Sequence, residues 1–270
     1  MKNKLYTFSF LLFHILFLII VSCSAPVGDH RDDFKRYFDE FHVTGCFVMY
    51  DLENSKFTDY NPDRCAQRFI PASTFKIFNS LVALETKAIP DENYVIKWDG
   101  VLRNVPAWNH DQTMTEAIKN STVWYYQEVA RKIGEERMQQ WLNLVHYGNR
   151  QMGSTIDSFW LNGDLRISAD EQIEFLKNLY TYQLPFSKRS MEIVKKILVR
   201  QDSLGYKLSF KTGLAIQDTT AIGWNVGYIE TKGNIYFFAM NIEAPKPLPE
   251  NFAIARRMIT ERCLKELGVL

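Results

Sequence analysis

The sequence lacks the usual marks of metal, nucleotide or nucleic-acid chemistry. Its five histidines, His14, His30, His42, His110 and His146, form no HExxH pair, and its four cysteines contain no CxxC, so no zinc site is legible. GxGxxG and GxxxxGK(S/T) are both missing, which leaves nucleotide-binding folds without a phosphate loop. An excess of one charge is missing too: 32 Lys+Arg against 31 Asp+Glu give a formal net charge of +1, whereas a nucleic-acid binder usually presents a basic face. Hydrophobic residues at 46% and charged residues at 23% exclude wholesale disorder, which needs few apolar residues and a strong net charge. A single apolar run approaches the length of a membrane span, which excludes a polytopic membrane protein. No internal repeat, low-complexity tract or Pro/Gly linker divides the 270 residues, a length that fits one large domain or two small ones.

That one apolar run stands at the N-terminus. Residues 1–22 put Lys2 and Lys4 ahead of an apolar stretch from Leu5 to Val21, the pattern of an export signal. The stretch is also at the low edge of a transmembrane helix. The small residues Ser22, Cys23, Ser24 and Ala25 that follow favour cleavage over a permanent anchor. Ile20-Val21-Ser22-Cys23 is similar to a bacterial lipoprotein box, in which the cysteine becomes the lipidated first residue; an unlipidated Cys23 is the alternative. The expectation is a signal peptide at 1–22 and a periplasmic protein at 23–270, with a lipid anchor on Cys23 as a candidate. Of the remaining cysteines, Cys263 reads as core. Cys46 and Cys65 are either a disulfide, which an oxidising compartment permits and which would add about 3 kcal/mol by closing a short loop, or two buried free thiols.

Strand candidates at 46–52 and 56–60 flank the turn Glu53-Asn54-Ser55 and read as a hairpin. From Ser73 the apolar period becomes helical, with Phe75, Phe78, Leu81 and Val82 on one face. Residues 114–145 continue in helical style with Gly134 as a break, and Ser168-Ala-Asp-Glu171 is a capping box that opens another helix. A helix at about 188–199 is followed by strands at 206–212, 222–230 and 235–243 and a final helix over 250–267. Short connections between these strands imply antiparallel pairing. The expected fold is therefore α+β: an antiparallel sheet flanked by helices (sheet parts about 40–72 and 200–270) with an adjoining all-helical subdomain (about 77–199).

Pro71-Ala-Ser73-Thr-Phe-Lys76 carries S-x-x-K at a strand-to-helix junction. Residues three apart on a helix share a face, so Lys76 can reach Ser73, and a serine needs a base to become a nucleophile. A first-turn position also aims backbone N–H groups at an anion formed there. The pair alone occurs by chance about once in such a chain, and a helix cap beside a solvated lysine is the plain reading. Lys211-Thr212-Gly213 on a strand is rarer, at roughly one chain in thirty, with an exposed strand-end lysine as its alternative. Ser121-Thr122-Val123, Tyr147-Gly148-Asn149 and Trp160-Leu-Asn-Gly163 read singly as helix cap, turn and core aromatic.

Together and in this order, these motifs resemble the class D (oxacillinase-type) serine β-lactamases, over a stretch from Gly45-Cys46-Phe47 to the terminal helix. The resemblance implies the serine β-lactamase/penicillin-binding-protein transpeptidase-like fold and hydrolysis of β-lactam antibiotics through an acyl-enzyme on Ser73. It implies that Lys76 reacts with CO2 to give an N-carboxylated general base. That requires a neutral amine, which an apolar pocket of Phe75, Val123, Trp160 and Leu161 would favour by desolvation. The Trp160 indole N–H would support the buried carbamate. Ser121 would relay a proton to the lactam nitrogen beside Lys211. The substrate carboxylate would meet Ser121, Lys211, Thr212, Gly213, Leu214 and Arg256, whose planar fork suits a carboxylate; Arg257 adjoins it and leaves the register open. The backbone N–H groups of Ser73 and Leu214 would form the oxyanion hole. No metal, no cofactor other than CO2 and no nucleic-acid partner is implied, and the chain is expected as monomer or homodimer. A β-lactam sensor domain and a peptidoglycan transpeptidase share parts of the signature. The first needs several membrane helices and an effector, and the second does not usually carry Y-G-N with W-x-x-G.

Overall fold

The computed structural model describes residues 28–203 and 205–270, so the signal peptide and the Cys23 lipidation site lie outside the described residues. The chain begins with β1 (Asp29–His30), α1 (Lys35–Glu40), the hairpin β2 (Thr44–Asp51) and β3 (Lys56–Tyr60), and α2 (Pro62–Ala66). A helical middle follows: α3 (Lys76–Glu85), α4 (Met114–Asn120), α5 (Val123–Ile133), α6 (Glu135–Val145), α7 (Ala169–Tyr180) and α8 (Lys188–Leu198). Then come β4 (Val199–Ser203), β5 (Tyr206–Ile216), β6 (Thr220–Glu230), β7 (Ile235–Pro245) and α9 (Phe252–Glu266). Among the described residues the strands form one seven-stranded sheet in the order β1-β3-β2-β7-β6-β5-β4. The expected meander β5-β6-β7 is antiparallel throughout, and β2 pairs antiparallel with β7.

Period-two alternation sends side chains to two cores. On β2, Cys46 and Val48 face the helical middle while Phe47 and Met49 face α1 and α9; on β7, Phe237 and Ala239 oppose Phe238, Met240 and Ile242 in the same way. The sheet is thus covered on both faces, which explains why β6 is buried along almost its whole length. The larger core joins the sheet to the helical middle through Trp224, Val226 and Tyr228 on one side and Phe75, Phe78, Tyr125 and Trp160 on the other.

Two expectations need correction. The run 114–145 breaks at Ser121–Thr122 as well as at Gly134, because Ser121 takes a left-handed conformation at φ 57°. Ser73 follows an isolated Phe69–Ile167 bridge instead of a strand and lies in the 3-10 turn Ala72–Phe75, with α3 starting at Lys76. Of the two readings of Cys46 and Cys65, the structure has the free thiols: Cys46, Cys65 and Cys263 are all buried and unbridged. The Cys65 thiol faces the backbone oxygens of Phe47 and Tyr60 at 3.6 Å each. Its hydrogen bond with Cys46, together with burial, pushes it well up. It therefore stays protonated, and only a thiolate reacts.

Candidate active site

Ser73 and Lys76 meet at the larger core. The short turn Ala72–Phe75 carries Ser73, and Ala72 adopts φ 49° to make the bend, a left-handed conformation that costs a non-glycine residue about 1 kcal/mol. Lys76 is fully buried and its Nζ donates to Ser73 Oγ at 2.8 Å. The ring of Tyr126 lies 5.4 Å from the same Nζ, and no carboxylate pairs with Lys76 among the described residues. Burial alone pulls the amine down from 10.5 to about 7, so near neutrality an appreciable fraction is uncharged and can take a proton from Ser73.

The wall around this pair is aromatic. Trp160 stacks on Phe75 at 5.1 Å with Phe159 edge-on to both rings. The Trp160 indole nitrogen is buried and has no hydrogen-bond partner among the described residues. Val123 is half-buried at the first position of α5, and Leu161 packs against the same core.

Ser121 and Lys211 form a second pair. Lys211 Nζ donates to Ser121 Oγ at 2.9 Å and to its neighbour's carbonyl, Thr212 O, at 2.9 Å. The Ser121 turn is pinned from both sides. Thr122 Oγ1 donates to Gln112 Oε1 at 2.7 Å, Trp108 Nε1 donates to Asn120 O at 3.0 Å, and Trp124 Nε1 donates to Trp108 O at 2.8 Å. Burial first, then the like charges of Lys76, Arg200 and Arg256, hold Lys211 well below the usual lysine range. The two pairs therefore share one electrostatic site with a cationic surplus.

Strand β5 runs Thr212, Gly213 and Leu214 along the Ser73 turn: a side chain at Gly213 would come within 2.9 Å of Pro71 O and 3.2 Å of Thr74. Arg256 on α9 reaches the same stretch, donating through Nη1 to Gly213 O and through Nε to Ala253 O. Burial lowers its guanidinium to about 10. Its stem crosses Gly223 on β6, where a Cβ would stand 2.8 Å from Arg256 Cδ. Arg257 points elsewhere, exposed and 3.6 Å from Glu261. The arginine that joins the site is thus Arg256.

The remaining motifs serve as framework. Asn149 Oδ1 accepts from Arg166 N at 2.9 Å and Gln151 N at 3.2 Å, while its Nδ2 donates to Asp164 O at 2.8 Å. It closes the loop that carries Trp160. Gly148 sits at φ 53° with Arg166 O only 2.0 Å from where a Cβ would stand, so no other residue fits there. Tyr147 packs its ring on Phe78 at 4.7 Å and Phe75 at 5.8 Å, beneath the Ser73 turn. Gln172 on α7 donates to Thr74 Oγ1 at 2.9 Å, and Thr74 donates to Pro71 O at 2.8 Å. Sequence reasoning missed Tyr126, Gln172, Gly223 and Arg200. Gln172 had one usable signal, a polar residue on the buried stripe of a well-capped helix; the others had none.

The family description "Penicillin binding protein transpeptidase domain" matches residues 45–262. Among known sequences, the probable β-lactamase YbxI of Bacillus subtilis is 41% identical over 233 residues, 86% of this chain and 84% of its own. β-Lactamase OXA-48 of Klebsiella pneumoniae is 38% identical over 258 residues, 96% of each chain. Among solved structures, the class D β-lactamase YbXI from Nostoc matches with a TM-score of 0.84 at 46% identity, covering 88% of this chain and 99% of that one.

Proposed function

The chain belongs to the penicillin-binding-protein transpeptidase domain family and within it to the class D β-lactamases, and on that premise we propose that it opens β-lactams through an acyl-enzyme on Ser73, with N-carboxylated Lys76 as general base. It is a serine hydrolase, and β-lactam hydrolysis and resistance are its activity. The observation that carries the reading of the site is the fully buried Lys76 amine at 2.8 Å from Ser73 Oγ, held near neutrality by burial.

Ser73 Oγ attacks the lactam carbonyl carbon as its proton passes to the Lys76 side chain. The backbone N–H groups of Ser73 and Leu214 take the charge that develops on the carbonyl oxygen. The C–N bond breaks, and Ser121, hydrogen-bonded to Lys211, delivers a proton to the departing nitrogen. Lys211, Thr212, Gly213 and Arg256 hold the substrate carboxylate. Water then cleaves the ester and frees Ser73.

The pocket suits a carbamate on Lys76. The indole N–H of Trp160 can only donate, and a buried donor almost always has an acceptor, yet this one has no partner among the described residues. A carbamate on Nζ would supply an anionic base stronger than water and an oxygen for that N–H; Trp160 would hold it and Val123 would keep water from it. No metal cofactor is called for, as in other class D enzymes. Export through the 1–22 signal, with 23–270 as the catalytic domain, periplasmic residence, a Cys23 lipid anchor and a monomeric or homodimeric state complete the reading.

Steady-state hydrolysis of a penicillin panel with and without bicarbonate tests it. Multiple turnovers that accelerate with bicarbonate are expected, whereas a stoichiometric burst with no turnover would make the protein a sensor or transpeptidase. Arg256→Ala is expected to raise KM for a penicillin on the order of tenfold, since a charge-assisted hydrogen bond is worth about 1.5–3 kcal/mol. Arg257→Ala, on the exposed side of α9, leaves it within about twofold. The reverse order would move the carboxylate site.

A further inference from the structure

Arg200 belongs to none of the motifs, yet the fold directs it at the site. The β4–β5 register shifts between Val199 and Gln201, so Arg200 is the extra residue of a β-bulge on the edge strand. Bulges of this kind re-aim a side chain, and they recur beside active sites. The re-aimed guanidinium bridges the carbonyl ends of two helices. Nη2 donates to Ile118 O of α4 at 3.2 Å and Nη1 donates to Ile197 O of α8 at 3.3 Å. Among the described residues no carboxylate pairs with it. Its charge is balanced by two helix C-termini, each worth roughly half a negative charge.

Ile118 lies three residues before Ser121, and its carbonyl is left over because Thr122 N turns back to Ala117 O at 2.9 Å. Arg200 therefore caps the helix whose end forms the Ser121 turn. Its charge also reaches Lys211. We propose that Arg200 is a positioning residue of the acylation machinery, which fixes the Ser121 turn through the carbonyl end of α4 and adds a permanent positive charge beside Lys211. The inference rests on the reading of Ser121 and Lys211 given above.

The groups that act on Lys211 are Lys76 from α3, Arg200 from β4 and Arg256 from α9, all cationic or capable of it. Tyr126 of α5 faces Arg200 as a phenol that burial keeps protonated. Removing one fixed cation lets Lys211 hold its proton to higher pH. In Arg200→Met, the alkaline limb of the kcat/KM profile for a penicillin should therefore move up by about one pH unit, with KM rising about threefold to tenfold. Arg200→Lys keeps the charge and loses the fork. Its alkaline limb should stay in place while kcat falls about threefold.

The inference is overturned if the limb does not move in Arg200→Met, if it moves equally in Arg200→Lys, or if both variants lose kcat only in step with a lowered Tm. Should Arg200→Met not fold, the lysine variant decides alone, and wild-type kcat with a wild-type profile overturns the proposal. Lys211→Ala separates the two levels. Near-wild-type turnover in that variant removes the reading of the site and this inference with it. An inactive Lys211→Ala beside an unshifted Arg200→Met removes this inference only.

Discussion

Ser73→Ala should abolish both turnover and covalent labelling while the protein stays folded. Among the described residues Ser73 Oγ is the only hydroxyl hydrogen-bonded to Lys76 Nζ, and deleting it leaves a base with nothing to activate. In acyl-transfer enzymes, removal of the nucleophile costs about 10⁶-fold in kcat. The fold should tolerate the change. The residue is small, burial already lowers the Lys76 amine to about 7, and the loss of its one hydrogen bond to Ser73 costs the fold about 1–3 kcal/mol. Intact-mass spectrometry with a slowly hydrolysed penicillin gives the readout: an adduct of substrate mass on the wild type and none on the variant. An adduct that persists on Ser73→Ala would move the nucleophile elsewhere.

Local chemistry is what made the sequence readable. The capping box at Ser168 forms with both of its hydrogen bonds, because its residues satisfy each other within one turn. The meander β5-β6-β7 follows from alternation and tight turns. Other features were invisible because a distant partner decides them. Ser121 sits in what reads as continuous helix, and the break depends on Trp108, Gln112 and Arg200 holding the turn from elsewhere in the chain. Arg200 is one basic residue among 32, and only the register of β4 against β5 aims it inward. Sequence favours Arg256 over Arg257 only by resemblance, since the physical feature that separates them is the space left by Gly223 on a neighbouring strand. The cysteines show the same limit: proximity and compartment leave a bridge and two free thiols both open, and the folded chain holds Cys46 and Cys65 as buried free thiols.

Loss of the Trp160 indole N–H should make activity depend on added bicarbonate. A buried acceptor left without its donor costs about 1–3 kcal/mol, which is roughly 5- to 150-fold in the carboxylated fraction of Lys76 at fixed CO2. Trp160→Ala would remove the donor and also open a cavity, at about 3–5 kcal/mol in stability. Trp160→Phe is the cleaner variant, since it keeps a ring against Phe75 and Phe159 and deletes the N–H with a smaller loss of volume than alanine. Deacylation, in which water must be activated, should suffer more than acylation. The variant should accumulate acyl-enzyme with a penicillin and recover in part when bicarbonate is supplied. The pH dependence has a definite sign. Burial places the Lys76 amine at about 7, and only the neutral amine takes up CO2, so the competent fraction rises as pH rises through 7 and falls below it. Activity should therefore decline on the acid side, with bicarbonate restoring it least where protonation is most complete. Carbon-13 NMR with labelled bicarbonate reads the modification without turnover: a carbamate resonance in the wild type, a weaker one in Trp160→Phe and none in Lys76→Ala. No such resonance in an active wild type whose rates ignore bicarbonate would falsify the carbamate and return the base role to the free Lys76 amine.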